Sequence, residues 1–266
     1  MDARQISIRN DMFSASLLEH GSGRPLLYLH GTWPVELADD GGPFLRALAT
    51  EHRVIAPRHP GFGESTGNEH LLDLQDLIYY QLDLLDELEL YDLTLIGHSL
   101  GGMIAAELAA VQPRRFTKLV LIAPLGLWNE AHLVPDFFTY GPDATAAALF
   151  ADPEHPLAVA MASPPTEGDE LIAYHLERAK SLATSAKYLW PIPNRGLAKR
   201  LHRVSMLTML VWGEHDPICP PRYGDDFRAL IPHARLELIP GAAHLPQVEQ
   251  PERTAELVRG FLGGRA

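Results

Sequence analysis

The sequence predicts an α/β protein with a doubly wound, mostly parallel eight-stranded sheet and an inserted helical cap. Two observations lead to this fold class. Apolar segments with β-branched residues alternate with segments of helical periodicity, which is typical of buried parallel strands joined by helices. The alternation stops near residue 124 and resumes near residue 202. We therefore expect a core of residues 1–123 and 202–266, and a cap of residues 124–201 rich in proline and aromatic side chains.

The composition favours one domain with an insertion over two independent domains. A chain of 266 residues with 46% hydrophobic content can bury a sizeable single core. Its 34 acidic residues outnumber its 22 lysines and arginines, so the net charge is -12. Because an acidic surface repels phosphate backbones, we expect a small-molecule substrate and no nucleic-acid partner.

Residue usage argues against targeting, disulfide and metal-binding roles. Residues 1–7 lack the layout of a secretory signal, and no apolar stretch is long enough to span a bilayer, so we expect a cytoplasmic protein. The single cysteine, Cys219, excludes an intrachain disulfide and a cysteine-based zinc site. The 13 histidines form no pair at ligand spacing with a carboxylate partner, so no metal site is expected.

The first half of the chain starts with alternating apolar residues at positions 5–18, which predict a pair of half-exposed antiparallel strands. Three later apolar segments predict buried strands at residues 25–30, 53–57 and 93–97. Leucines spaced three and four apart predict an amphipathic helix over residues 71–90, and a shorter helix is expected over residues 43–49.

The second half of the chain begins with a further predicted strand at residues 118–123. Within the predicted cap, helical stretches are expected near residues 144–150 and 170–181. Beyond the cap, strands are predicted at residues 206–213 and 235–240, and helices at residues 222–231 and 250–261.

A serine flanked by glycines stands where the strand at residues 93–97 meets an alanine-rich helical segment. Gly97, Ser99 and Gly101 form the pattern Gly-x-Ser-x-Gly, which in this strand-turn-helix context is typical of a nucleophilic serine. The glycines avoid collisions at the strained turn, and the helix N-terminus favours negative charge beside the reacting carbonyl. We expect the backbone N–H of Leu100 to bind the oxyanion.

Three loops that follow other strands carry the groups that such a serine needs. A serine hydroxyl is a weak nucleophile and requires a base oriented by a carboxylate. Asp216 and His244 each follow a predicted strand and are our candidates for these roles. The loop from His30 to Pro34 follows a third strand, and its Thr32 N–H is expected to complete the oxyanion hole, with the N–H of Trp33 as the second candidate.

Together these motifs resemble the α/β-hydrolase superfamily over nearly the whole chain. The resemblance rests on the order Ser, Asp, His and on the segments His30-Gly31, Gly97–Gly102, Gly213–Pro217 and Gly241–His244. It implies a triad of Ser99, Asp216 and His244, an oxyanion hole from Leu100 and Thr32, a cap, and no cofactor. Residues 32–34 depart from the pattern, since many relatives carry more glycine there.

The motifs favour a serine hydrolase acting on a carboxylic ester, lactone or thioester of a small to medium apolar substrate. Trp33 and Trp128 are the aromatic residues expected to touch the substrate. Two alternatives stay open: hydrolysis of a carbon-carbon bond in a ring-fission diketone, and ligand binding with little turnover. Monomer and homodimer also stay open.

Overall fold

The computed structural model describes residues 2–33, 41–192 and 194–264. Pro34, the last residue of the predicted oxyanion loop, lies outside them. The strands of the described chain are β1 (Asp2–Ile8), β2 (Phe13–His20), β3 (Arg24–Leu29), β4 (His52–Pro57), β5 (Leu93–His98), β6 (Phe116–Ile122), β7 (Leu207–Gly213) and β8 (Ala234–Ile239).

All eight strands belong to one sheet with the order β1-β2-β4-β3-β5-β6-β7-β8. β1 pairs antiparallel with β2, and β2 pairs antiparallel with β4. From β4 to β8 every pairing is parallel. The predicted doubly wound, mostly parallel sheet is therefore confirmed, with its antiparallel pair at one edge.

Every predicted helix is present, but several differ in length, and there are two short additions, one in the insertion and one in the core. They are α1 (Gly42–Leu48), α2 (Leu74–Glu87), α3 (Leu100–Val111), α4 (Pro142–Leu149), α5 (Pro156–Ala162), α6 (Gly168–Leu189), α7 (Arg222–Leu230), α8 (Pro246–Glu249) and α9 (Pro251–Leu262). α5 and α8 were not predicted. α8 has only four residues, too few to show a helical repeat, and the sequence of α5 is apolar throughout, so it shows no amphipathic pattern.

Two helix boundaries differ from the predicted ones for identifiable reasons. α2 begins at Leu74 rather than at residue 71, because the Asp73 carboxylate accepts hydrogen bonds from the N–H groups of Gln75 and Asp76 and caps the helix there. α6 extends to Leu189 rather than residue 181, and its last turn buries Tyr188 and Leu189. Burial against the rest of the molecule therefore sustains the longer helix.

Both faces of the sheet are covered by helices. Along β6, Leu119 and Leu121 pack into the larger apolar cluster, which also contains residues of α2 and α3. Val120 and Ile122 point to the other face, where α1 and α9 contribute their apolar residues. This alternation along a fully buried strand explains why the strand sequence is continuously apolar.

The described residues between β6 and β7 contain α4, α5 and α6 but no strand. β3, β5, β7 and β8 run in the same direction, so their carboxyl ends lie at one edge of the sheet. The segments that begin with His30, Ser99, Glu214 and Pro240 all leave the sheet at that edge. Ligands of open α/β sheets bind at this position.

Candidate active site

Ser99 lies at the apex of a sharp turn between β5 and α3. Its backbone has φ 55° and ψ -115°, outside the regions that side-chain-bearing residues usually adopt. The Ser99 N–H donates to the carbonyl of Ile122 at 2.9 Å, and its carbonyl accepts from the N–H of Leu125 at 3.1 Å. Hydrogen bonds to the end of β6 and to the segment that follows it thus hold Ser99 in a strained backbone conformation. Such strain is typical of functional residues.

The flanking glycines are required by close backbone contacts. A Cβ on Gly97 would lie 2.2 Å from the Gly101 carbonyl oxygen, and a Cβ on Gly101 would lie 2.1 Å from the carbonyl oxygen of Leu29 in β3. Any side chain at either position would force α3 away from the sheet. The Gly-x-Ser-x-Gly pattern therefore follows from how closely the turn and the helix pack.

Ser99, His244 and Asp216 form a continuous hydrogen-bonded chain. His244 Nε2 lies 2.9 Å from Ser99 Oγ, and His244 Nδ1 lies 2.8 Å from Asp216 Oδ2. Because the carboxylate can only accept, Nδ1 carries the proton and Nε2 is free to accept from the serine hydroxyl. All three residues are at most 3% exposed. The structure thus brings together the three residues that the sequence singled out.

The second oxygen of Asp216 is held by main-chain donors. Asp216 Oδ1 accepts from the N–H groups of Ile218 and Cys219, both at 2.9 Å. These bonds orient the carboxylate, leaving Oδ2 to face the imidazole of His244. Cys219 itself is buried, and burial raises the pKa of its thiol well above the usual value.

His98 holds the main chain of His244. Its Nε2–H donates to the His244 carbonyl at 2.9 Å, and its ring centroid lies 5.1 Å from that of His244. Burial, followed by the proximity of His244, lowers the pKa of His98 to about 3. A neutral His98 therefore fixes the segment that carries the candidate base.

The loop after β3 packs directly against the serine. A Cβ on Gly31 would lie 3.0 Å from Ser99 Cβ and 2.9 Å from His98 Nδ1, so only glycine allows this approach. Thr32, the next residue, is buried. On the other side of the serine, Leu100 is the first residue of α3, and N–H groups in the first turn of a helix have no acceptor within the helix.

The His30 side chain orients the peptide that joins Gly31 to Thr32. Its Nε2 accepts from the main-chain N–H of His59 at 3.0 Å, so its proton is on Nδ1, which donates to the Gly31 carbonyl at 2.7 Å. In a trans peptide the N–H points opposite to the carbonyl, so the Thr32 N–H points away from His30. Burial, followed by the proximity of His59, lowers the pKa of His30 well below the usual value, which keeps the ring neutral.

A further buried hydrogen bond extends this arrangement to α2. His59 Nε2–H donates to the His30 carbonyl at 3.1 Å, and the Gln81 side-chain amide donates to His59 Nδ1 at 3.0 Å. Burial lowers the pKa of His59 to about 4. Sequence reasoning missed these two residues. The available signal was Gln81, a polar residue within the apolar face of α2.

The two tryptophans expected to touch the substrate lie in different environments. The half-buried Trp33 makes an edge-to-face contact with Phe137 of the inserted segment, with ring centroids 5.4 Å apart. Trp128 packs partly buried against the core, and its indole N–H donates to Glu130 Oε1 at 2.7 Å. Trp33 therefore links the loop beside Ser99 to the inserted segment, while the indole N–H of Trp128 is bonded within its own loop.

No group of three or more histidine, cysteine or acidic side chains that could hold a metal ion occurs within residues 2–33, 41–192 and 194–264. Within the same described chain, no helix combines the length and the apolar character that a bilayer crossing requires.

Comparison with known proteins places this arrangement in a family. The model of the alpha/beta hydrolase family matches residues 18–257. The 2-hydroxymuconate semialdehyde hydrolase of Pseudomonas sp. (strain CF600) is 29% identical over 259 residues, covering 93% of this chain and 89% of the relative.

Solved structures show the same fold at lower identity. A meta-cleavage product hydrolase of Pseudomonas fluorescens IP01 superposes with a TM-score of 0.79 at 19% identity, covering 99% of this chain and 98% of the other. An esterase of Rhodococcus sp. ECU1013 has a TM-score of 0.75 at 22% identity, covering 100% of this chain and 100% of the other. A protein named as a meta-cleavage product hydrolase and one named as an esterase thus share this architecture.

Proposed function

The chain belongs to the alpha/beta hydrolase family, and from this premise we propose that it hydrolyses carboxylic esters, lactones or thioesters of small to medium apolar substrates. The proposal rests on one observation, the continuous chain from Ser99 Oγ through His244 to Asp216, with distances of 2.9 Å and 2.8 Å. A serine with a neutral imidazole in hydrogen-bond reach and a carboxylate behind it is an activated nucleophile.

In the proposed reaction Ser99 Oγ attacks the ester carbonyl while His244 Nε2 takes the hydroxyl proton. Asp216 stabilises the imidazolium that forms and keeps the ring of His244 in its orientation toward Ser99. The N–H groups of Leu100 and Thr32 bind the oxyanion, and His30 supports the second donor by holding the Gly31 carbonyl. His244 then protonates the leaving alcohol or thiol, and a water molecule activated by His244 releases the acyl group from Ser99.

The surroundings of Ser99 support an apolar substrate. Phe137 packs among mostly apolar residues around a small void of about 20 Å³: Met103, Leu125, Gly126, Leu127, Val134, Leu189, Ile192 and Arg195. The main-chain N–H of Leu125 donates to the Ser99 carbonyl, so this apolar cluster lies next to the serine turn. We infer that residues 124–201 act as a cap whose apolar side chains, together with Trp33, select the acyl group.

Carbon-carbon bond hydrolysis is the second candidate function. The observation that favours it is the similarity to the 2-hydroxymuconate semialdehyde hydrolase, whose name describes a ring-fission compound. In this reaction the same serine and histidine would act on a ketone carbonyl of a vinylogous diketone. Substrate assays separate the two candidates, because the side chains of the triad are common to both.

The test is p-nitrophenol release from esters of increasing acyl length by wild type, Ser99→Ala and Ser181→Ala, the last a control on α6. We expect chain-length-dependent turnover in wild type and in the control. The Ser99→Ala rate should fall by about 1,000-fold or more, because no nucleophile remains. A fluorophosphonate should label Ser99 in wild type and in Ser181→Ala, and it should not label Ser99→Ala.

Each of the other possible outcomes of these assays has a defined interpretation. Turnover of Ser99→Ala at the wild-type rate would refute the mechanism. Labelling of Ser99 with no ester turnover, and hydrolysis of a ring-fission dienone, would replace the ester proposal with carbon-carbon hydrolysis. A folded wild type that neither labels nor turns over either substrate class would refute both and favour a ligand-binding role.

A further inference from the structure

Glu249 joins the inserted segment to the loop that carries His244. It is the last residue of α8, the short helix that begins two residues after the histidine. Its Oε2 accepts from the N–H of Ala243 at 2.6 Å. Its Oε1 accepts from the N–H groups of Ala151 at 2.7 Å and Asp152 at 3.3 Å, just beyond the end of α4. One carboxylate therefore divides its two oxygens between the histidine loop and the insertion.

The bond to Ala243 acts on the main chain immediately before the histidine. On the other side, the His244 carbonyl accepts from His98 Nε2. Three contacts therefore hold His244. Glu249 binds the main-chain N–H of the preceding residue, His98 binds the His244 carbonyl, and Asp216 binds Nδ1 of the ring. Loss of the first contact would let the ring move relative to Ser99, and small misplacements of a catalytic group are costly.

The bonds to Ala151 and Asp152 anchor the turn between α4 and α5. The Asp152 side chain accepts from the N–H of Glu154, and the His155 ring stacks on Phe150 at 4.9 Å between centroids. Because this turn is internally bonded, we expect it to keep its shape together with the ends of both helices. Hydrogen bonds from main-chain N–H groups to a carboxylate are stronger than those to neutral acceptors, so Glu249 is the anchor of this unit.

We propose that Glu249 is a positioning residue that couples the position of the inserted segment to the alignment of His244. When the α4–α5 turn is hydrogen-bonded to Glu249, it holds the carboxylate where Oε2 binds the Ala243 N–H. When the turn moves away from Glu249, this constraint on the histidine loop weakens. This inference deepens the proposed function and rests on it, since it assigns the histidine the role of base.

The first test compares Glu249→Gln with wild type and with Glu252→Gln, an exposed control at the start of α9. The glutamine has one acceptor oxygen, so it can satisfy the histidine loop or the insertion but not both. We expect kcat on the best p-nitrophenyl ester, and the rate of fluorophosphonate labelling of Ser99, to fall about 10- to 100-fold in Glu249→Gln. KM should change little, and the control should match wild type.

The second test removes the shorter of the two bonds on the insertion side and no bond on the histidine side. Ala151→Pro lacks the N–H that donates to Oε1, and Phe150 already has the extended backbone, φ -122° and ψ 133°, that a residue before proline prefers. This variant leaves Glu249 and Ala243 unchanged. Coupling predicts a slower labelling of Ser99 and faster hydrogen exchange of the Ala243 amide, although the substitution lies in the insertion.

The outcomes separate coupling from a merely structural role. A labelling rate equal to that of wild type in Ala151→Pro, with unchanged exchange at Ala243, would overturn the proposal. So would a Glu249→Gln variant that lowers only the melting temperature. If either variant fails to fold, hydrogen exchange of wild type decides: amides 151, 152 and 243 must become protected together when Ser99 carries the phosphonate. If wild type does not label at all, the proposed function fails, and exchange in Glu249→Gln still reports the coupling.

Discussion

Gly31 lies where the loop after β3 meets the serine turn. The space for its side chain is already occupied, since a Cβ would lie 3.0 Å from Ser99 Cβ and 2.9 Å from His98 Nδ1. Glycine at this position is therefore a requirement of the close approach between two loops. The same approach brings the Thr32 N–H, the proposed second oxyanion donor, near the serine.

We predict that Gly31→Ala lowers kcat for ester hydrolysis by about 100-fold, because the added methyl group pushes the oxyanion loop away from Ser99. Steady-state kinetics on p-nitrophenyl esters measures the change. The matched control is Gly260→Ala in α9, where a Cβ would meet nothing within 4 Å. It should leave kcat unchanged and raise the free energy of unfolding by about 0.5–1 kcal/mol. Wild-type kcat in Gly31→Ala would contradict the proposed oxyanion loop.

At the scale of single elements, α2 shows how a side chain sets a boundary that periodicity does not. The apolar spacing continues from residue 71, but the helix begins at Leu74 because Asp73 accepts from the N–H groups of Gln75 at 2.8 Å and Asp76 at 3.1 Å. The position of this start matters for the site, since α2 carries Gln81 to the ring of His59.

We predict that Asp73→Ala lowers the free energy of unfolding by about 1 kcal/mol, because two N–H groups of the first turn lose their acceptor. Asp73→Asn should be nearly neutral, because asparagine caps a helix about as well as aspartate. Urea denaturation of the three proteins at pH 7 gives the measurement. An Asp73→Ala protein as stable as wild type would show that water replaces the cap without cost.

At the scale of the whole molecule, three buried neutral histidines make stability depend on pH. Burial is the largest cause in each case, and it lowers the pKa of His59 to about 4, that of His98 to about 3 and that of His30 well below its usual value. In the unfolded chain these groups bind a proton below pH of about 6.5, while in the folded protein they do not. Stability is therefore fully present above that pH and is lost as the pH falls toward 4.

We predict that the free energy of unfolding decreases by about 1.4 kcal/mol per pH unit for each of these histidines below pH 6.5, or about 4 kcal/mol per unit for the three together. Urea titrations between pH 7.5 and 5 test this. His59→Gln, which cannot take up a proton in this range, should show a shallower slope than wild type, whereas the exposed control His233→Gln should not. Equal slopes in all three proteins would contradict the prediction.

The sequence alone predicts three features: the alternation of strands and helices, the glycine-flanked serine, and the loops that carry Asp216 and His244. Each of them depends on residues close together in the chain. Periodicity records which face of an element is buried, and a parallel sheet places the ends of its strands at one edge whatever their order. The fold class is confirmed, and the three residues proposed as the triad lie together.

The tertiary structure alone decided the contacts between distant segments. Glu249 reaches Ala151 in the insertion, Gln81 reaches His59, and His98 reaches the carbonyl of His244. Apart from Gln81, a polar residue within the apolar face of α2, none of these partners is marked by a local pattern, because a hydrogen bond across the fold requires only that two groups meet once the chain has packed. The sequence therefore identifies the groups proposed to do the chemistry, and packing decides which groups hold them in place.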